Sequence, residues 1–464
     1  SPRLTLVQSA RGKESFPFAY SYHAPVAGNP DVAKVIPVAF DVAQKKGIAV
    51  KTEPLEWLWT EAGPFRPQWS KDSSRVWFVD ATRGFKQVRL REIDARTGET
   101  RTLIDENSAR HVNYNLAFFN WKRLDSGEVV WISERDGWSH LYLYDSQSAA
   151  LRRQLTEGAW AVREVVGIGK NRVFFYGSGR EPARDPYLQH LYSVDLAGGE
   201  PELLTPDPAE HEVSLSPSGA YLVDNYSTIN KPWTSVVRDS RDGSVVLELE
   251  RGDPKPLERI GWTPPEPFEV LAADGKTKLY GVLFRPSRFD RSRKYPVIES
   301  VYAFPSRFAA PKGFSSRGGS STTGAPSSQA TAELGFIVVT LDGRGTGLRS
   351  REFQDTIYGE HWGDERWEDH VEALRQLARR YPYMDLNRVG IFGHSACGAD
   401  AVNAMLLRPD FYKAGVASAG SHAIEVGLAL PTEQWAGFPP NGQVFGHSNI
   451  ALAGRLQGKL LLAN

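Results

Sequence analysis

The chain has 464 residues, more than a single hydrophobic core usually organises, so two domains are expected. Hydrophobic residues make up 41% and charged residues 24%, which excludes a disordered chain. Lys+Arg and Asp+Glu both number 55, so the net charge is zero and neither nucleic acid nor an anionic membrane is indicated as a partner. The longest apolar runs, such as Gly335 to Leu341, are too short to span a bilayer, so no membrane segment is expected. The lone cysteine, Cys397, excludes an intrachain disulfide and leaves the compartment open.

From about residue 33 to 252 the chain reads as short strands separated by turns, in a repeat of roughly 50 residues. One strand of each repeat ends in aspartate: Val38-Ala-Phe-Asp41, Leu90-Arg-Glu-Ile-Asp94, Leu143-Tyr-Asp145, Tyr192-Ser-Val-Asp195 and Val237-Arg-Asp239. An earlier strand precedes four of them, as in Val76-Trp-Phe78 and Val173-Phe-Phe175, and a short strand such as Arg101-Thr-Leu-Ile104 follows. Such repeats read as propeller blades, four full ones and a partial one in residues 1–55. The aspartates are expected to cap turns after the third strand rather than to bind metal. A propeller closes on itself to hide its sheet edges, so an N-terminal portion is expected to be missing, and the propeller (1–252) is read as incomplete.

Residues 253–290, with Pro254, Pro256, Pro264, Pro265 and Pro267, read as a connector to a third segment, 291–464. There the grammar changes. Strands are predicted at Lys294–Val301, Gly335–Leu341, Val389–Phe392, Ala414–Ser418 and Lys459–Leu462, with helices at Asp364–Arg380 and Ala396–Leu407. Apolar strands alternating with helices predict a parallel sheet covered on both faces. Residues 311–328, rich in Gly, Ser and Thr, read as a surface loop.

The sharpest chemical signal is Gly393-His394-Ser395-Ala396-Cys397-Gly398, set between a predicted strand and a predicted helix. A nucleophile elbow needs that context, because a tight strand-to-helix turn pushes the serine hydroxyl out above the sheet. The Ala396 backbone N–H would then face a developing oxyanion. The usual second glycine is Cys397 here, with Gly398 one place later. The alternative for Ser395 is a plain helix N-cap.

With the elbow, two further motifs carry a resemblance: Asp342-Gly-Arg-Gly-Thr-Gly347 after an apolar strand, and Val301-Tyr302-Ala303 after an earlier one. Together with a preceding propeller, the chain resembles the dipeptidyl-peptidase-IV-like branch of the prolyl oligopeptidase family. That resemblance implies a β-propeller followed by an α/β-hydrolase domain and a serine peptidase acting on short peptides, after proline or another small residue. It implies Ser395 as nucleophile and Tyr302, with the Ala396 N–H, as oxyanion hole; Tyr302 packed as an ordinary aromatic is the other reading. It puts Thr432-Glu-Gln-Trp435 near the substrate pocket, with Trp435 either a pocket wall or core packing. Asp342 and Arg344 read as holding their loop, and His394 is not read as the base. No cofactor or metal is implied. The partner is a peptide substrate; a homodimer is compatible with the resemblance, which also favours a periplasmic or secreted location.

The fold's order of catalytic residues is Ser, then Asp, then His. After Ser395 the sequence offers only Asp400, Asp410, His422 and His447, none where the family places its acid or base. No adjacent Glu-Glu is present to hold a substrate amine. The expectation is therefore an α/β-hydrolase domain truncated at its C-terminus, inactive by itself, from a parent that is an enzyme. The rivals are an esterase or acylaminoacyl hydrolase of the same fold, and a non-catalytic binding protein.

Overall fold

The structure is a computed structural model. It describes residues 3–8, 16–23, 26–56, 67–113, 121–301, 305, 307–314, 325–359, 366–424, 429–439 and 442–463. The chain divides into two compact units, one of Ser1–Tyr114 with Ala423–Ser448, the other of Asn115–His422 with Asn449–Asn464.

The first unit begins with three two-stranded ribbons, pairing Arg3–Gln8 with Phe18–His23, Lys34–Val35 with Leu55–Glu56, and Val38–Asp41 with Lys46–Ala49. A four-stranded antiparallel sheet follows, from Gln68–Trp69 through Arg75–Ala81 and Gln87–Asp94 to Thr100–Asn107. The second unit contains three more such sheets, spanning 122–154, 161–203 and 210–251. These are the four blades read from the repeat. The second strands of the first three blades, Arg75–Ala81, Glu128–Ser133 and Arg172–Ser178, bury nearly every residue, as strands packed on both faces must, whereas that of the fourth, Tyr221–Thr228, alternates buried and more open positions.

All five aspartates end their strands and cap the turn beyond. Asp94 Oδ1 accepts the backbone N–H of Arg96 at 2.9 Å and of Thr97 at 3.1 Å. Asp145 does the same for Gln147 and Ser148, Asp195 for Ala197, Asp239 for Arg241 and Asp41 for Gln44. These bonds favour the charged carboxylate. Backbone N–H donors lower the pKa of Asp94 and Asp145, and Arg241 above all holds Asp239 at about 2.

The second unit also holds a seven-stranded sheet: β1 (Glu266–Leu271), β2 (Lys278–Phe284), β3 (Tyr295–Val301), β4 (Ile337–Asp342), β5 (Met384–His394), β6 (Tyr412–Ser418) and β7 (Lys459–Ala463). Its order is β1-β2-β4-β3-β5-β6-β7, antiparallel at the β1–β2 and β2–β4 pairs and parallel from β4 onward. The α-helices of eight residues or more among the described residues are α1 (Ala325–Glu333), α2 (Trp367–Arg380), α3 (Ala396–Leu407) and, in the first unit, α4 (Ala429–Ala436). α2 presents Trp367, Val371, Leu374 and Leu377 to the core and carries Glu368 and Asp369 in its first turn and Arg379 and Arg380 in its last, matching the helix dipole.

Two boundaries differ from the sequence reading. β1 and β2 lie inside the stretch read as a connector, so the sheet begins at Glu266 and not after 290. α1 begins at Ala325, inside the stretch read as loop. Among the described residues no helix is long and apolar enough to cross a membrane, and no cluster of three His, Cys, Asp or Glu could hold a metal ion.

Candidate active site

β5 ends at His394 and α3 starts at Ala396, leaving Ser395 alone in the turn at φ 59°, ψ −128°. A positive φ is costly for a side-chain-bearing residue and persists only where the surroundings impose it. Here they do. The Ser395 N–H donates to the Ser418 carbonyl at 2.8 Å, tying the turn to the end of β6, and the Gly398 N–H donates to the Ser395 carbonyl at 2.9 Å, starting the helix. A Cβ on Gly393 would lie 1.8 Å from the Cys397 carbonyl oxygen, so only glycine lets strand and helix meet this closely. A Cβ on Gly398 would come within 2.6 Å of the Ser418 carbonyl, so Gly398 provides the close approach to β6, while Cys397 is buried without exposed surface. The departure from the usual glycine spacing is thereby accommodated.

Ser395 is solvent-exposed at the tip of this turn. Ala396 is the first residue of α3, so its N–H has no acceptor within the helix. The helix N-terminus favours negative charge at this spot. Among the described residues none hydrogen-bonds the Ser395 hydroxyl. His394 points away: its Nδ1 lies 3.1 Å from Ser418 Oγ, joining the ends of β5 and β6. Tyr302 lies outside the described residues.

The residues downstream of Ser395 have other engagements. Asp400 is buried on α3, and Asp410 pairs with Arg408 at 3.2 Å. His422 is half-buried, its Nδ1 accepting from the Asn449 amide at 3.1 Å, and burial lowers its pKa. Asn449 in turn donates to the Ala399 carbonyl at 2.8 Å.

Asp342 and Arg344 hold their loop, though not through each other. Asp342 is fully buried at the end of β4 and accepts the N–H groups of Ala309 and Ala310. Burial pushes its pKa up to about 6 despite the Lys312 ammonium 3.9 Å away. Arg344 makes a bidentate pair with Asp369 of α2 at 2.7 and 2.8 Å and reaches Asp274 at 3.0 Å.

In the first unit, Trp435 on α4 is only 7% exposed. Two residues before it sits a feature the sequence reading missed. Glu433 accepts from Arg83 Nε at 2.8 Å, from a second Arg83 nitrogen, and from the Gly28 N–H at 3.0 Å. Arg83 lies 350 positions away in the chain and stacks over Phe438 at 4.3 Å. No local pattern announces a pair of that separation.

Comparison with known proteins agrees with this architecture. The family described as the dipeptidyl peptidase IV N-terminal region matches residues 2–233, and the prolyl oligopeptidase family matches residues 325–448. The chain is 25% identical over 407 residues to the probable dipeptidyl-aminopeptidase B of Trichophyton verrucosum, covering 83% of this chain and 43% of that protein. It is 31% identical over 271 residues to the probable dipeptidyl-aminopeptidase B of Aspergillus terreus, covering 57% and 28%. The chain thus spans less than half the length of these relatives. The crystal structure of Porphyromonas gingivalis dipeptidyl peptidase 4 superposes with a TM-score of 0.82 at 23% identity, covering 99% of this chain and 63% of that one; at this identity the likeness shows the fold. Propeller blades, hydrolase sheet and elbow therefore coincide with a family match over half of the chain, and the chain belongs to the dipeptidyl peptidase IV-like branch of the prolyl oligopeptidase family.

Proposed function

We propose that this chain carries the nucleophile of a serine peptidase that releases short, dipeptide-sized fragments after proline or another small residue. The observation that carries the reading is the backbone of Ser395, held at positive φ on an exposed strand-to-helix turn that Gly393 alone permits. Ser395 Oγ attacks the scissile carbonyl carbon, its proton passing to a general base. The carbonyl oxygen, now an anion, is met by the Ala396 N–H and the Tyr302 hydroxyl. The tetrahedral intermediate collapses to an acyl-enzyme on Ser395 as the amine leaves with that proton, and water then releases the acid. The relatives' names, dipeptidyl-aminopeptidase and dipeptidyl peptidase, support the substrate class. At 7% exposure, Trp435 is assigned to core packing rather than to a pocket wall.

No described residue partners the Ser395 hydroxyl, and a serine without its base is a weak nucleophile. The 464-residue chain by itself is therefore expected to turn over peptides negligibly. The test is fluorophosphonate labelling together with hydrolysis of dipeptidyl-proline and dipeptidyl-alanine chromogenic amides, with and without Ser395→Ala. Labelling and turnover by a longer protein containing the chain that survive Ser395→Ala would overturn the assignment.

A further inference from the structure

A cavity of about 660 Å³ lies in the second unit, away from the elbow's own residues. Its walls are the loop after strand Arg172–Ser178, the β1–β2 hairpin at 274–280 and the segment 344–356 after β4. Its volume falls within the roughly 300–1,000 Å³ of small-molecule sites.

Three arginines lie on the last wall or beside it, and their fates differ. Arg344 is neutralised by Asp369 and Asp274. Arg351 is neutralised by Glu134 at 3.0 Å and Asp355 at 3.1 Å. Arg349 has no carboxylate partner among the described residues; its guanidinium reaches the Lys278 carbonyl at a weak 3.4 Å and the Tyr187 hydroxyl. It is held instead against aromatic rings, 4.5 Å over Phe353 and 5.8 and 5.9 Å from Tyr187 and Tyr280. Stacking fixes the plane of the guanidinium while leaving N–H groups to donate.

A second observation points into the same space. Ser178 lines the cavity at 1% exposure, and its hydroxyl has no hydrogen-bond partner among the described residues. Buried hydroxyls are rarely left so, and an unmet one marks a place for a ligand or water. Lys276, exposed on the hairpin, adds an ammonium at the mouth. Of the acids in the lining, Asp274 is engaged by Arg344 and Glu181 accepts the Tyr192 hydroxyl at 3.0 Å. Glu352 is exposed; over the whole lining five basic side chains (Arg184, Lys276, Lys278, Arg344 and Arg349) outnumber three acidic ones (Glu181, Asp274 and Glu352), so the cavity carries net positive charge.

We propose that this cavity binds a carboxylate, gripped by the Arg349 fork, with the Ser178 hydroxyl donating to it and Lys276 at the entrance. The planar guanidinium suits a two-oxygen anion. A peptide C-terminus and an acidic side chain both supply that group. The proposal stands apart from the role of Ser395, and binding alone tests it.

The experiment is isothermal titration calorimetry of the 464-residue chain with three probes: acetyl-trialanine with a free carboxylate, its C-terminal amide, and the amide of acetyl-alanyl-aspartyl-alanine. The free acid is expected to bind and the plain amide not to; the aspartyl amide tells side-chain from terminal recognition. Arg349→Met should weaken binding of the acid about tenfold or more, the loss of a charge-assisted bond, and the exposed Lys276→Gln a few-fold. Ser178→Ala, which breaks no existing bond, should weaken it several-fold with circular dichroism unchanged. Equal binding of acid and plain amide, wild-type affinity in both Arg349→Met and Ser178→Ala, tighter binding of inorganic phosphate, or no heat at ~10 mM acid would each overturn the proposal.

Discussion

Arg83→Met should loosen α4 severely. The Arg83 and Glu433 side chains are 6% and 2% exposed, so the pair is out of water. Glu433 receives two N–H groups from Arg83 and one from Gly28. Methionine keeps most of the stem and its contact with Phe438 but leaves the carboxylate with the Gly28 N–H alone. Removing one partner of a buried pair costs about 3–5 kcal/mol, because the other charge stays buried without compensation. The surviving bond to Gly28 puts the expectation near the lower end, about 3 kcal/mol, which is about 10² in an opening equilibrium. Native-state hydrogen exchange of the 429–436 amides reads that opening directly. Adding Glu433→Leu removes the stranded charge, so the double variant should recover about 1 kcal/mol or more over Arg83→Met, a coupling that a double-mutant cycle isolates. Exchange in Arg83→Met within about threefold of wild type would refute the reasoning.

Four further outcomes are expected. In a longer protein containing the chain, Ser395→Ala should abolish fluorophosphonate labelling and turnover with an unchanged circular dichroism spectrum, and residual labelling at another serine would point to a different nucleophile. Tyr302→Phe should lower kcat by about 10²–10³ with KM nearly unchanged, the cost of one oxyanion donor; an unaltered kcat with a raised KM would make Tyr302 a binding residue. Gly393→Ala, whose methyl would meet backbone 1.8 Å away, should lower the melting temperature sharply or prevent folding, and a wild-type melt would contradict the elbow geometry. His190→Asn should flatten the acid side of the stability profile. Burial, with His211 and Arg184 nearby, lowers His190 to about 4, so between pH 4 and 6.5 the unfolded chain binds more protons than the folded one. Wild-type stability relative to the variant is then fully present above pH 6.5 and falls as pH drops toward 4, by up to about 1.4 kcal/mol per unit; parallel profiles would show that His190 is not the group responsible.

What could be read from the sequence follows how local each determinant is. The turn aspartates and the elbow were legible because the residues that mark them lie within a few positions: Asp94 caps Arg96 and Thr97, and Gly393, Ser395 and Gly398 share one turn, although the Ser418 carbonyl that holds that turn comes from the next strand. The same repeats hide a second device that was missed. His140 and His190 open the third strands of successive blades, bonding Thr156 Oγ1 at 3.0 Å and the Thr205 carbonyl at 2.9 Å, partners roughly 15 residues on. Each Thr hydroxyl also takes the next strand residue's N–H. The strand β1 was lost to its prolines, yet it is a sheet edge, where Pro267 can sit without breaking an interior ladder. Least legible was residue 433. Nothing in Thr432-Glu-Gln-Trp435 shows that its glutamate meets an arginine 350 residues earlier, and the more conspicuous tryptophan drew the reading instead. The aromatic marks the helix, but the carboxylate fixes where the helix stands. The standing of α4, and of Trp435 on it, therefore depends on Arg83, which makes the exchange experiment on 429–436 a test of the helix's anchorage as well as of one ion pair.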